Sequence, residues 1–193
     1  MRQLNALQIL QRSKKSLFTT ADLKKLFDVE EDNTLYKQIE RLTAAGVLRR
    51  AMKGFYFLAS DRPTDFEMAN ALYIPSYVSL ESALNYYGIL IQTPQEIISV
   101  TPRMTKRIHA AQREFNYLHL DQKYFTSYHR DQGFLIATPE KALIDALFFS
   151  SIGRGSISIE ELVLDAVDSR KLHALAKNIA NRAFQKFFAS LKL

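Results

Sequence analysis

Phe134-Leu-Ile-Ala-Thr-Pro-Glu-Lys-Ala-Leu-Ile-Asp-Ala-Leu-Phe-Phe149 changes period at its middle, and that change predicts the layout of the larger part of the chain. Phe134 to Ala137 is a short apolar run, the pattern of a strand buried on both faces. Thr138 can then accept a bond from a free first-turn N–H, Pro139 suits the first helical position, and Glu140 places negative charge where the helix dipole favours it. The apolar positions Ala142, Leu143, Ile144, Ala146, Leu147, Phe148 and Phe149 cover most of the helix circumference, so the helix should be packed on several sides. Lys141 and Asp145 stand four residues apart, a spacing at which the pair can neutralise each other. These residues are either the frame of a core helix or part of a functional patch.

Outward from this stretch, the totals narrow the class. The chain has 193 residues, is 47% apolar and carries a net charge of +6, values that suit one large or two small globular domains. No run approaches the ~20 apolar residues of a membrane span, and the polar start Met1-Arg-Gln-Leu-Asn5 lacks a signal peptide's apolar centre, so a cytoplasmic protein without membrane partners is expected. There is no cysteine, which excludes a disulfide framework and a thiol nucleophile. His109, His119, His129 and His173 have no metal-ligand spacing, so neither a metal nor another cofactor is expected. The charge is uneven: residues 1–60 hold 11 Lys or Arg against 6 Asp or Glu, whereas the remainder is nearly balanced. A basic head on a near-neutral body suggests a polyanion-binding module joined to one with another task.

Within the head, Leu4, Leu7, Ile9 and Leu10 predict a first helix, and Thr19 or Thr20 caps a short second one over Ala21 to Phe27. A third runs from about Asn33 to Ala45, with Leu35, Ile39 and Leu42 inward and Gly46 as its stop. Its outer face presents Asn33, Thr34, Tyr36, Lys37, Glu40 and Arg41, of which all but Glu40 are side chains suited to base edges or phosphates. Val47 to Leu58 then reads as a hairpin with Arg49, Arg50 and Lys53 about its turn. Three helices followed by such a hairpin are the order of a winged helix-turn-helix, so these eight residues are the candidate DNA contacts.

Asp61 to Asp65 is a polar, proline-containing boundary, dividing the chain at 1–60 and 64–193. In the body, helices are expected from Phe66 to Tyr73 and, capped by Ser79, from Leu80 to Gly88; the intervening and following tyrosines, Tyr73, Tyr77, Tyr86 and Tyr87, read as core with hydroxyls at the rim. Strands are expected at Glu96–Thr101, Phe115–Leu120, Tyr124–Tyr128 and Phe134–Ala137. Between the first two, Arg103, Lys106, Arg107 and Arg113 lie in a segment without acids, read as a solvated loop or helix that could add a second set of phosphate contacts. Ser151 to Ser158 reads as a loop, Glu160 to Val167 as a short helix, and Arg170 to Leu193 as one long amphipathic helix. The fold class is therefore α+β: a helical DNA-binding head, then a mixed α/β body with a small sheet and a long C-terminal helix.

Three stretches of the body, Tyr77-Val-Ser-Leu-Glu-Ser-Ala-Leu-Asn-Tyr-Tyr-Gly88, Ile98-Ser-Val-Thr101 and Ile136-Ala-Thr-Pro-Glu-Lys-Ala-Leu-Ile-Asp145, together resemble the AbiEi antitoxin family. The resemblance implies a bacterial antitoxin of a type IV toxin-antitoxin system, associated with phage abortive infection. Such a protein represses its own promoter through a winged helix-turn-helix and counteracts a nucleotidyltransferase toxin of the AbiEii type, with direct contact between the two left open. The residues Thr138, Pro139, Glu140, Lys141 and Asp145 fall in the A-T-P-E-K-A-L-x-D segment and are carried over as the antitoxin motif. The expected partner is double-stranded promoter DNA with an inverted repeat, bound by two copies of the chain. Two other functions compete: a transcription regulator whose body senses a small ligand, and a metal-dependent nuclease using Asp131, Glu140 and Lys141. The nuclease is disfavoured because adjacent residues at a helix start point about 100° apart; no enzyme activity is expected.

Overall fold

The computed structural model describes residues 3–155 and 157–191; Met1 and Arg2 of the polar start, Ser156 of the predicted loop, and Lys192 and Leu193 of the predicted last helix lie outside the described residues. The chain is mixed α+β, with a three-stranded and a six-stranded sheet among the described residues.

The head contains α1 (Gln3–Arg12), β1 (Phe18–Thr19), α2 (Thr20–Leu26), α3 (Asp32–Ala44), β2 (Leu48–Met52) and β3 (Phe55–Leu58). Thr19 caps α2 through a reciprocal pair of bonds with Asp22, and Leu35, Ile39 and Leu42 of α3 point inward as their spacing requires. Leu4 is exposed, and α1 instead buries Ala6 and Leu10. The sheet order is β1-β3-β2, all antiparallel. The two residues of β1 are too few to show alternation, which is why the expected hairpin gains a third strand.

Side-chain alternation gives the small sheet two roles. Tyr56 and Leu58 of β3 join the head core with Phe18, Leu23 and Leu35. Phe57, on the opposite face of the same strand, packs with Ala51 and Leu17 into the core of the body. The Ala111 N–H donates to the Ala51 carbonyl at 2.9 Å, a backbone bond across the same seam. The Asp61–Asp65 turn therefore separates two apolar cores that meet at a shared surface.

The body contains α4 (Asp65–Leu72), β4 (Tyr77–Val78), α5 (Leu80–Tyr86), β5 (Ile97–Thr101), β6 (Lys106–Ala110), β7 (Arg113–His119), β8 (Tyr128–Asp131), β9 (Phe134–Ala137), α6 (Pro139–Ser151), α7 (Ser169–Lys177) and α8 (Arg182–Ser190). The sheet order is β6-β7-β5-β4-β9-β8, with parallel pairing at β5/β7 and β4/β9 and antiparallel pairing elsewhere. Side chains of successive strand residues reach opposite layers. Tyr117 donates to the Ala69 carbonyl of α4 at 2.7 Å, while Tyr77, on the other face, reaches Asp145 of α6. The sheet is thus held between α4 and α6, and α5, α7 and α8 pack around α6.

Four expected elements are corrected. Lys106–Ala110 is the edge strand β6 instead of a loop or helix: Ile108 and Ala110 alternate inward with the exposed Arg107 and His109. The strand expected at Tyr124–Tyr128 is a short 3-10 turn at Gln122–Tyr124 followed by β8, which starts where pairing with β9 becomes available. Glu160–Val167 forms two 3-10 turns rather than one helix. The long C-terminal helix is broken into α7 and α8. Asn181 caps α8 by accepting from the Phe184 N–H at 3.0 Å, and Gln185 donates to the carbonyls of Ala176 and Ile179 at 2.7 and 2.8 Å. Those bonds occupy acceptors that a continuing helix would have used, and the turn lets both apolar stripes face α6.

The broken helix predicts the sign of one substitution. Asn181→Ala removes a cap and should cost about 0.5–2 kcal/mol in urea denaturation. In an uninterrupted helix the same change would stabilise by a few tenths of a kcal/mol through helix propensity, so a gain in stability would contradict two helices.

Candidate functional site

Two sets of predicted residues are assembled by the fold, one on the surface of the head and one inside the body. On the head, Asn33, Thr34, Tyr36, Lys37 and Arg41 of α3 are all exposed, as are Arg49 and Arg50 of β2 and Lys53 of the hairpin turn. The turn is anchored: Gly54 has φ +83°, and its carbonyl accepts from the Thr20 N–H at 2.9 Å. The hairpin tip is thereby tied to the start of α2.

The partners of the head's cations separate them into two groups. Lys15 pairs with Asp22, and Lys24 with Asp32, each at 2.5 Å. Lys37, Arg41, Arg49, Arg50 and Lys53 form no ion pair among the described residues. Their charge is left to act on solvent or on a ligand. Thr34 bonds Glu31 at 3.3 Å and Arg50 bonds the Met52 carbonyl at 3.4 Å, contacts long enough to exchange readily.

The second basic set is engaged by other side chains of the body. Arg113 donates to Asp65 at 2.9 Å, and Arg107 lies 4.0 Å from Glu96. Arg103 sits 4.4 Å from the centre of the Tyr73 ring and Lys106 at 5.1 Å, both cation-π contacts. Arg103 also donates to the Ile74 carbonyl at 2.9 Å. The absence of acids holds for the sequence segment alone, since folding brings Asp65 and Glu96 beside it.

The antitoxin-motif residues converge inside the body. Thr138 caps α6 and accepts from the Lys141 N–H at 3.3 Å, with Pro139 in the first turn. Glu140 is buried and accepts from the Asp168 N–H at 3.2 Å, which ties the start of α7 to the start of α6. Asp145 is fully buried and Lys141 is 3% exposed; they form the expected ion pair. The other carboxylate oxygen of Asp145 accepts from Ser79 Oγ at 2.7 Å and Tyr77 Oη at 3.1 Å. Tyr77 stacks on Tyr128 with ring centres 4.7 Å apart and contacts Phe125 at 4.9 Å, closing the site with rings. Burial, together with the nearby Asp145 charge and the bond to it, raises the Tyr77 phenol well above its ordinary range, so it remains a donor.

Ser79, the expected cap of α5, makes no capping bond there through its hydroxyl. It turns toward Asp145, and the next residue, Leu80, takes φ +49° with its side chain buried, a conformation that a bulky residue holds only when its surroundings dictate it. Sequence reasoning misses Tyr77 and Ser79 as partners of Asp145. The available signal is chemical: a carboxylate in an apolar helix has two oxygens to satisfy, one lysine serves one of them, and residues 77 and 79, two apart along extended backbone, project to the same side. Beside the pair lies a cleft of about 210 Å³ whose walls include Lys123, Thr126, Lys141 and Asn178. Of the four tyrosines expected in the core, Tyr73 and Tyr77 are buried, Tyr87 is half-buried and Tyr86 is exposed; the hydroxyls of Tyr73, Tyr86 and Tyr87 bond the Met104 carbonyl, Asp131 and the Ala137 carbonyl.

Lys141→Ala would leave the Asp145 charge buried without its cation and should destabilise by about 3–5 kcal/mol, whereas the paired change Lys141→Met with Asp145→Leu should recover most of that loss. Chemical denaturation of the two variants and the parent checks this, and a mild effect of Lys141→Ala would show that the pair is not a brace. No protein-family model matches the chain, and no curated protein matches it.

Proposed function

We propose that the chain is a DNA-binding regulator whose head is a winged helix-turn-helix and whose body is an antitoxin domain of the AbiEi kind. The observation that carries this is the set of five exposed cations on α3 and the β2–β3 hairpin that have no acid partner among the described residues, flanking Asn33, Thr34 and Tyr36. In such a head α3 enters the major groove, where Asn33, Thr34 and Tyr36 meet base edges, and the hairpin cations take phosphates of the flanking backbone. One head covers one half-site, so two copies on an inverted repeat make up the operator.

For the body, support comes from the A-T-P-E-K-A-L-x-D segment and its two companion stretches. Residues of two of them meet at one point of the structure, where Tyr77, Ser79, Lys141 and Asp145 form a single network, and the third is joined to it by the Ser79 N–H, which donates to the Ile98 carbonyl at 3.0 Å. In this reading the body counters a nucleotidyltransferase toxin of the AbiEii type. Because Lys141 and Asp145 are buried, the network contributes by holding the surface that does so, in the cytoplasm where both proteins would act. The described residues contain no helix long and apolar enough to cross a membrane.

The two activities should separate. Lys37→Ala, Arg50→Ala and Lys53→Ala in the full chain should each weaken promoter binding and reduce the salt slope by about 0.9, the change expected when one phosphate is no longer neutralised. Promoter repression should fall with them while protection against the co-expressed toxin persists. Unchanged affinity and slope in all three variants would remove DNA binding from this face.

A further inference from the structure

A cleft of about 310 Å³ opens where the head meets the body, near the lower bound of volumes that enclose a small ligand. Its walls include Glu67 of α4, Ile74 and Ser76 of the segment before β4, Arg130 of β8, Leu135 of β9, and Ser16 from the head. Two charged groups there have unused capacity. Glu67 uses Oε2 for the Thr64 N–H and hydroxyl, at 2.8 and 2.9 Å, leaving Oε1 available. Arg130 donates from Nη1 to the Gly133 carbonyl at 3.0 Å, and its other nitrogens make no hydrogen bond within the described residues.

Glu67 and Arg130 form no ion pair with each other among the described residues. Opposite charges that share a cleft without meeting offer two separate poles. Gly133 keeps one of them open: a Cβ at that position would stand 3.1 Å from Glu67 Oε1, and its φ of +102° disfavours any side chain. Between the poles, Ile74 and Leu135 provide an apolar wall.

We propose that this cleft binds a free α-amino acid, with its carboxylate on Arg130 and its ammonium on Glu67 Oε1. The apolar wall then favours an aliphatic side chain. A bare carboxylate or a bare amine would satisfy one pole and leave the other unmet, so the site selects the zwitterion. The assignment is independent of the DNA-binding reading.

Titration calorimetry and thermal unfolding of the full chain test this with each of the proteinogenic amino acids in turn, and with the N-acetylated and decarboxylated forms of any that bind. Binding of one or more aliphatic amino acids is expected, lost in both blocked forms. Arg130→Gln and Glu67→Gln should each weaken it by about tenfold or more, and the amide introduced by Glu67→Gln retains an oxygen for the Thr64 cap. Because the Arg130 side chain is exposed, Arg130→Gln should weaken binding while leaving the melting temperature of the unliganded protein unchanged, a combination that loss of folding cannot mimic. Failure of every amino acid to bind, or binding that survives Arg130→Gln and Glu67→Gln, would overturn the proposal.

Discussion

The buried carboxylate of Asp145 is the constraint around which the body is arranged. An ionised group at 0% exposure is tolerated only when its charge is balanced and its oxygens are bonded. Here the balance comes from three elements: Lys141 one turn earlier on α6, Tyr77 on β4, and Ser79 at the entry to α5. Satisfying one carboxylate therefore fixes the height of α6 over the sheet, the exit of β4, and the start of α5. An apolar residue at 145 would leave these elements free to slide, because apolar packing lacks direction. The left-handed Leu80 beside Ser79 is the visible strain of that arrangement.

The head follows a different logic. Its core of Leu23, Leu35, Ile39, Leu42 and Leu48 is wholly apolar, and its charged groups are at the surface. Lys15 and Lys24 are matched by acids, while the cations of α3 and the hairpin have no acid partner among the described residues. The small sheet joins the two systems by alternation: Tyr56 and Leu58 face the head core, and Phe57 faces the body. Mechanical coupling between a bound surface on the head and the body would pass through Phe57, Ala51 and the Ala111 backbone bond.

Elements with their own local signals are legible in the sequence. Thr138-Pro139 marks the start of α6, the Leu35, Ile39, Leu42 spacing marks α3, and the period change at Ala137 marks β9. Elements defined by their partners are not. Strands β1 and β4 have two residues each, and only pairing reveals them. The α7–α8 break is hidden because both helices carry the same apolar period, and Asn181 resembles an ordinary exposed polar residue until its side chain is seen to cap. At the candidate site, Lys141–Asp145 follows from helix spacing, but Tyr77 of β4 and Ser79 at the entry to α5 are remote along the chain and need the fold. Arg107 and Arg113 likewise look unpaired in the sequence because Glu96 and Asp65 are remote along the chain.

The central claim is that DNA is met by the outer face of α3 and by the hairpin. Backbone amide exchange of the full chain, measured with and without promoter duplex, tests it directly. New protection is expected to be confined to residues about Asn33 to Arg41 and Arg49 to Gly54, with the strands around Tyr77 and the α6 helix unchanged. Changes centred on the body with the head unaltered would contradict it.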